Sequence, residues 1–404
     1  MPNLKVGILT YHHSYNFGAN LQTLATQSML RRRGVDAIVI NFQDPKKVAA
    51  FKGIVSQEQA SQHEAFFAEY YTQSPLFTRS EQIEEFCRGE LDGVIVGSDA
   101  VFRLIAKYSP RRVVKRLLRR DSQYASFSQS EFLPPYWLNW DGKTKNTSFV
   151  KVSLAASSRS TPFLFLKPSL MSDVKTAIND FDYVTVRDEW TQKMLRFLTF
   201  GRQSVDICHD PVFGLNSAFE LPGRFATMPD LARTILVSVD VSPQWRKEFV
   251  AEAHKRGYQV KLLPNAEDYF PYPESDGEVA LPMSPLAWYG HLANAAGYVG
   301  FRFHALVSCL ANQTPVVTVD TGQTVFKGPD KKSPCFFTCK EANAMDRYFT
   351  KLKIRQLAPA TILDRLFDSK THASCNAFAA RASDQVNHAI DSTLSLLGHV
   401  HGTA

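Results

Sequence analysis

Cysteine is scarce in this chain: six residues in 404, at positions 87, 208, 309, 335, 339 and 375. Spread singly, they offer no disulfide framework and fit a reducing compartment, so a cytoplasmic location is expected. Long apolar runs are missing too. No stretch approaches the roughly 20 apolar residues that a membrane-spanning helix needs. Residues 5–10 are too short for the apolar part of a secretory leader and read as a first strand. No segment repeats with a fixed period. Cys335, Cys339, His372 and Cys375 match no usual zinc spacing, so no metal is expected. Acid falls short of base, 39 Asp and Glu against 46 Lys and Arg, and the net charge of +7 points to an anionic partner. No nucleic-acid-binding motif accompanies that charge, so nucleic acid is not expected.

What is present is a βα alternation of ordinary apolar content, 44% hydrophobic, long enough for about two domains. Residues 4–9, 35–42, 92–96, 149–154 and 183–186 are Val-, Ile- and Leu-rich, as strands buried on both faces of a parallel sheet would be. After the first strand, Leu21, Leu24, Ala25 and Ser28 fall on one face of a helix that ends in Arg31-Arg-Arg-Gly34, cations followed by a capping glycine. Residues 45–90 read as mostly helical and carry no identifiable chemistry. The stretch between Gly214 and Ala232, with Leu221-Pro-Gly and Met228-Pro-Asp, reads as linker. Beyond it, strands are expected at 235–239, 258–263, 298–301 and 315–319, with helices at 245–255 and 285–296. Residues 264–284 read as a Pro- and acid-rich loop, and 380–397 as a last amphipathic helix. The fold class is therefore α/β, divided into residues 1–218 and 219–404.

The stretch from Gly297 to Leu306 holds the most chemistry. A short apolar strand runs into a helix carrying Ala305, Leu306, Cys309 and Leu310 at helical spacing, so Arg302 and His304 sit at the turn between them. In an open α/β sheet that turn lies at the carboxyl end of the strand, where ligands bind. The helix N-terminus presents orphan N–H groups and the positive end of its dipole to an anion. Arginine adds a fork matched to carboxylate or phosphate, and histidine a group that moves a proton near neutral pH. The plain alternative is that Arg302 caps a neighbouring carbonyl and His304 is a satisfied core histidine.

Phe301-Arg-Phe-His-Ala-Leu-Val-Ser-Cys-Leu-Ala-Asn-Gln-Thr-Pro-Val-Val resembles the G-x-R-x-H-a…P-v-v signature of the polysaccharide pyruvyl transferase family. Further boxes lie in matching order. Asn16-Phe-Gly-Ala-Asn-Leu-Gln22 is similar to the family's N-x-G-a-x-l-q pattern, and Gly97-Ser-Asp-Ala-Val-Phe-Arg103 to the G-S-D box of one branch. The serine-bearing turn Ala155-Ala-Ser-Ser-Arg-Ser160, the strand-to-helix turn at Arg187-Asp-Glu-Trp-Thr191 and Cys208-His-Asp-Pro-Val-Phe213 complete the set. Ala100 and Phe102 depart from that branch, which usually has glutamine and tryptophan there, and this puts the acceptor in doubt more than the fold.

The resemblance implies two Rossmann-like domains facing across a cleft, the GT-B-like arrangement. Residues 1–218 would lie on the acceptor side and 219–404 on the donor side, with a C-terminal helix crossing back. It implies transfer of the pyruvyl group of phosphoenolpyruvate onto two hydroxyls of one sugar, in a cell-surface polysaccharide or its lipid-linked precursor, with no cofactor. On this reading Arg187 and Arg302 take the donor's two anionic groups, one from each domain, with Phe303, Ser157 and Lys327 beside them. His304 is the leading general acid or base, and His12, His13 or Asp99 would serve the second proton transfer. Asn16, Gly18, Gly97, Ser98 and Arg103 belong to the acceptor side or its loops, although Asn16 would serve equally as a helix cap. Arg187 would otherwise pair with Asp188 or Glu189, Asp210 makes a turn before Pro211, and Lys327 would otherwise be a solvated lysine. Two other functions stay open, a nucleotide-sugar glycosyltransferase of the same architecture and a re-purposed family member acting on a small metabolite.

Residues 111–120, Arg-Arg-Val-Val-Lys-Arg-Leu-Leu-Arg-Arg, form a basic amphipathic pattern able to lie on an anionic membrane surface. The aromatics of residues 132–140 would suit the same interface. The alternative is a helix packed on the protein and aromatics that belong to the core.

Overall fold

The computed structural model describes residues 4–45, 48, 54–105, 132–140, 149–159, 161–219, 229–239, 241–266, 271–320, 352–353 and 358–402. Residues 111–120, Lys327, Cys335 and Cys339 lie outside them.

Among the described residues the chain forms two sheets. The first holds β1 (Lys5–Leu9), β2 (Asp36–Val39), β3 (Gly93–Val96), β4 (Val150–Ala156), β5 (Tyr183–Val186) and β6 (Asp206–Ile207), in the order β2-β1-β3-β4-β5-β6. Every pairing is parallel. The second holds β7 (Thr234–Ser238), β8 (Gln259–Leu262), β9 (Gly297–Gly300), β10 (Val316–Asp320) and β11 (Leu352–Lys353), also parallel, in the order β11-β10-β9-β7-β8. The β3, β4, β7 and β9 strands are buried along their whole length. That is why β3 and β7 read as continuous apolar runs, whereas β4 accommodates Lys151 and Ser153 by bonding them to Asp180 and the Thr185 carbonyl.

The strand orders locate the site. In the first sheet the chain leaves β1 toward β2 on one side and returns to β3 on the other. In the second it leaves β7 toward β8 and returns to β9. The carboxyl ends of β1, β3, β7 and β9 therefore border topological switch points, where open α/β sheets leave a crevice.

Helix α1 (Phe17–Arg31) links the two halves. It is buried from Phe17 to Leu30, and Asn16 caps it by accepting a hydrogen bond from the Ala19 N–H at 3.2 Å. Three more helices belong to the first half: α2 (Gln57–Tyr70), α3 (Ser80–Glu90) and α4 (Pro168–Asn179). They are followed by α5 (Glu189–Leu198) and the single turn α6 (Leu215–Ala218). The second half adds α7 (Pro243–Lys255), α8 (Pro285–Asn294), α9 (Phe303–Ala311), α10 (Pro359–Leu366) and the long α11 (Ser369–Gly402).

One continuous apolar cluster fills the space between the sheets. Leu21, Leu24 and Met29 of α1 share it with Tyr289 and Leu292 of α8 and Leu306 and Leu310 of α9. Polar contacts cross the same boundary. The Gln59 amide donates to the Met283 carbonyl at 2.7 Å and accepts from its N–H at 2.9 Å. Asn216 donates to the Ala311 carbonyl at 2.9 Å and accepts from the Tyr289 hydroxyl at 2.8 Å. Helix α11 reaches back to the first sheet, where Asp391 pairs with Arg33 at 2.6 Å and Gln385 donates to the Ile207 carbonyl at 2.9 Å.

The aromatics of residues 132–140 are mostly core. Trp137 is fully buried and stacks on Phe102 at 4.3 Å, Tyr136 is buried, and only Phe132 stands out into solvent at 81% exposure. The expectation of an aromatic membrane belt there is corrected, because these rings fill the space beside β3 and β4. The same packing buries Phe102 completely. No described helix is long and apolar enough to cross a membrane.

Candidate active site

The loop after β3 brings a carboxylate to the first switch point. Gly97 has φ +119, and a Cβ there would collide with the Leu154 carbonyl, so only glycine lets the loop lie this close to β4. Asp99 follows with φ +70, its Oδ1 accepting from the Ala100 N–H at 2.7 Å. The next loop is tied to it. The Ser157 N–H donates to the Asp99 carbonyl at 2.8 Å, and the Ser157 hydroxyl donates to Asp188 at 2.7 Å while accepting from the Arg159 N–H at 3.0 Å. Ser157 therefore acts by holding this turn.

Arg187 leaves β5 at the same edge and is almost completely buried. Two carboxylate partners, Asp99 and Asp210, lie farther from it along the chain than the alternative pairing with Asp188 or Glu189 would have it. Asp188 instead caps α5, accepting from the Thr191 N–H at 2.8 Å, as its position before the first turn dictates. The Arg187 Nη1 lies 3.3 Å from Asp210 Oδ2 and its Nη2 lies 3.9 Å from Asp99 Oδ1. Its guanidinium carbon sits 4.5 Å from the centre of the Phe303 ring, which comes from the second sheet. Burial pushes the Asp99 carboxyl up, but the Arg187 guanidinium, helped by His304, Arg159 and the Ala100 N–H, outweighs it and holds Asp99 below the usual range.

Asp210 does two jobs. Its Oδ1 accepts from the Val212 N–H at 3.1 Å and makes the expected turn, while Oδ2 anchors Arg187 and also accepts from the Gln22 amide. Gln22 donates as well to the Ser98 hydroxyl at 3.0 Å, and Ser98 in turn donates to the Ala155 carbonyl at 3.2 Å. One buried network thus joins α1, the β3 loop, β4 and the turn after β6. Gln22 and Arg159 were not among the residues singled out from sequence, and Asp210 was read there only as a turn residue. Gln22 stood in a box already noted, but its partner lies 188 positions away.

From the second sheet, Arg302 is the N-cap of α9, with His304 in its first turn. Both are half-buried. The Arg302 guanidinium carbon lies 5.3 Å from the centre of the Phe301 ring. The His304 imidazole packs on Gly18 in the first turn of α1, where a Cβ would fall inside the ring. Glycine is required there by close approach. The structure therefore brings together His304, Phe303, Arg187 and Asp99, with the N-terminal turns of α1 and α9 meeting beside them.

Other expected residues fall elsewhere. His12 is fully buried; its Nδ1 lies 3.3 Å from the Thr10 carbonyl and its Nε2 3.2 Å from Asn41 Oδ1. Burial pushes its pKa down to about 4, against the Asn41 hydrogen bond. With both ring nitrogens occupied inside the protein, His12 is a structural histidine, and its candidacy for proton transfer is corrected. His13 is half-buried against the Phe67 ring of α2, 5.2 Å between centroids, and burial lowers its pKa while Glu64 opposes. Arg103 is exposed at the rim. Among the described residues no group of three His, Cys, Asp or Glu side chains could hold a metal ion.

Comparison with known proteins places the architecture. The chain is similar to the UDP-GlcNAc 2-epimerase from Neisseria meningitidis bound to UDP-GlcNAc, with a TM-score of 0.53 at 9% identity, over 96% of this chain and 99% of that one. A structure assigned to UDP-N-acetylglucosamine 2-epimerase from Listeria monocytogenes gives 0.50 at 10% identity, over 96% and 94%. The glycosyltransferase SnogD from Streptomyces nogalater gives 0.44 at 11% identity, over 98% and 99%. At such low identity the likeness speaks for fold alone, two Rossmann-like domains in the GT-B manner. No curated protein matches the chain. A family model described as "Polysaccharide pyruvyl transferase" matches residues 16–323.

Proposed function

Because this chain belongs to the polysaccharide pyruvyl transferase family and is a transferase, we propose that it moves the pyruvyl group of phosphoenolpyruvate onto two hydroxyls of a sugar, in a cell-surface polysaccharide or its lipid-linked precursor. The observation that carries this reading is the meeting of His304, from one sheet, with Asp99 and Arg187 from the other.

The donor carries a carboxylate and a phosphate. Arg302 and the first-turn N–H groups of α9 suit one of these anions. Arg187 suits the other, through the Nη2 edge that faces Asp99 at 3.9 Å, longer than a direct hydrogen bond. Protonated His304 gives its proton to the methylene carbon of the donor, and the adjoining carbon gains oxocarbenium character. A sugar hydroxyl attacks that carbon and loses its proton. Asp99, ionised at neutral pH, takes that proton. Departure of phosphate and attack by the second hydroxyl close the ketal, so that donor and diol become pyruvyl ketal and inorganic phosphate.

The experiment is incubation with phosphoenolpyruvate and a panel of free and lipid-linked sugars, following phosphate release and acceptor mass. A gain equal to pyruvate less one water, matched by phosphate release, is the expected result. Transfer of a sugar from a UDP-sugar, with none from phosphoenolpyruvate, would assign the chain to nucleotide-sugar glycosyl transfer instead.

A further inference from the structure

Part of the exposed apolar surface gathers on two neighbouring segments. Nine large hydrophobic side chains are exposed among the described residues, and four of them, Leu164, Phe165, Phe197 and Phe200, belong to two neighbouring segments of the first half. Phe163 joins the segments from beneath, its ring 5.5 Å from Phe197 and 4.9 Å from Trp190. Phe200 extends the face toward α4, where the Lys175 ammonium lies 4.9 Å from its ring centre. Helix α5 explains the arrangement. Thr191, Met194, Leu195 and Leu198 face the core, and the opposite side presents Lys193, Arg196 and Phe197 to solvent.

Soluble surfaces rarely gather rings this way without a partner. Charge identifies the partner. Residues 163–176 and 189–202 carry five basic side chains, Lys167, Lys175, Lys193, Arg196 and Arg202, against two acidic ones, Asp173 and Glu189. All five bases are exposed or half-exposed. Aromatic rings ringed by excess Lys and Arg suit the boundary between anionic headgroups and acyl chains: the rings sit at headgroup depth and the cations meet the surface potential.

We propose that this face, residues 163–165 with the outer side of α5 and Phe200, docks on an anionic lipid bilayer. The proposal does not rest on the pyruvyl-transfer reading and uses none of its residues. It differs from the sequence expectation, which assigned membrane contact to residues 111–120 and 132–140.

Sedimentation of the full-length protein with vesicles of equal phosphatidylglycerol and phosphatidylcholine, against phosphatidylcholine alone, tests it. Binding to the anionic vesicles that weakens as salt rises is expected. Phe197→Ser with Phe200→Ser, and separately Lys167→Gln with Lys175→Gln and Lys193→Gln, should each weaken binding about tenfold or more. Leu281→Ser, exposed but elsewhere, should leave it unchanged, and melting temperatures should hold because every altered side chain is at the surface. Equal binding to neutral vesicles, no binding at all, or binding that survives the Phe197 and Phe200 changes would overturn the proposal. So would a lipid-free dimer that the same pair of changes dissolves, since the face would then belong to a second copy of the chain.

Discussion

Arg187 and Arg302 hold the same place in two sheets, each at the turn from a strand into a helix at the carboxyl edge, yet their surroundings are opposite. Arg187 is almost fully buried, anchored to Asp210, within reach of Asp99 and covered by Phe303. Arg302 is half-buried, stands at the N-cap position of its own helix and lies along the ring of its neighbour Phe301. One pattern of residues thus yields a fully buried brace in the first sheet and a half-buried arginine at a helix start in the second. The difference comes from what the rest of the fold delivers. The turn after β6 sends Asp210 beneath Arg187 to meet Gln22 of α1. Removing a buried guanidinium from between two carboxylates costs stability, because it leaves them uncompensated.

The largest expected effect follows from the brace. Arg187→Met leaves Asp210 buried without its cation and should destabilise the fold by about 3–5 kcal/mol. Arg302→Met should move the melting temperature less, since Arg302 is only half-buried. Chemical denaturation of both variants checks this, and equal losses would erase the contrast between the two turns.

Histidines divide the same way. Burial lowers His12 and His63 from 6.5 to about 4 in the folded chain, with the Asn41 hydrogen bond opposing this at His12 and His13 adding to it at His63. A folded pKa below the unfolded one means that the unfolded chain binds more protons between those values. Stability therefore rises with pH through that window and is lost as pH falls from about 6.5 toward 4, by roughly 3 kcal/mol for each histidine. His63→Gln and His12→Gln should flatten that slope in denaturation measured across pH. A slope untouched by either substitution would show that these buried rings are not its source.

A smaller effect sharpens the picture of the second turn. Gly18→Ala places a methyl where the His304 ring now lies. Displacement of a reacting group by about an ångström costs roughly a hundredfold in turnover. Rate should fall by that order while the protein stays folded and binds donor, and an unaffected rate would mean that the His304 position is not critical.

Much of the fold was legible because parallel strands are buried on both faces and print as unbroken apolar runs. The runs at 183–186 and 92–96 appear as β5 and β3 nearly to the residue. Arg302 and His304 were legible because a strand-to-helix turn is local. What was not legible is pairing at long range. The alternative reading paired Arg187 with one of the next two residues, but Asp188 is taken by the cap of α5, and Asp210, which does pair with it, lies 23 positions on. His12 has the composition of a site loop, and only the approach of Asn41 shows it to be internal. Tyr136 and Trp137 suit a membrane interface or a core equally well, and packing against Phe102 decides between them.

The most direct test separates binding from rate in two variants of one turn. Phosphoenolpyruvate affinity by calorimetry and pyruvyl turnover are measured for Arg302→Lys and His304→Gln alongside the parent. Arg302→Lys keeps the charge and loses the fork, so donor affinity should weaken by about 1.5–3 kcal/mol, roughly ten- to a hundredfold. His304→Gln should bind donor nearly as the parent does and turn over about 10²–10⁴-fold more slowly. Near-normal turnover in His304→Gln, or undiminished donor affinity in Arg302→Lys, would contradict the assignment of this turn as the donor's anion site and proton source.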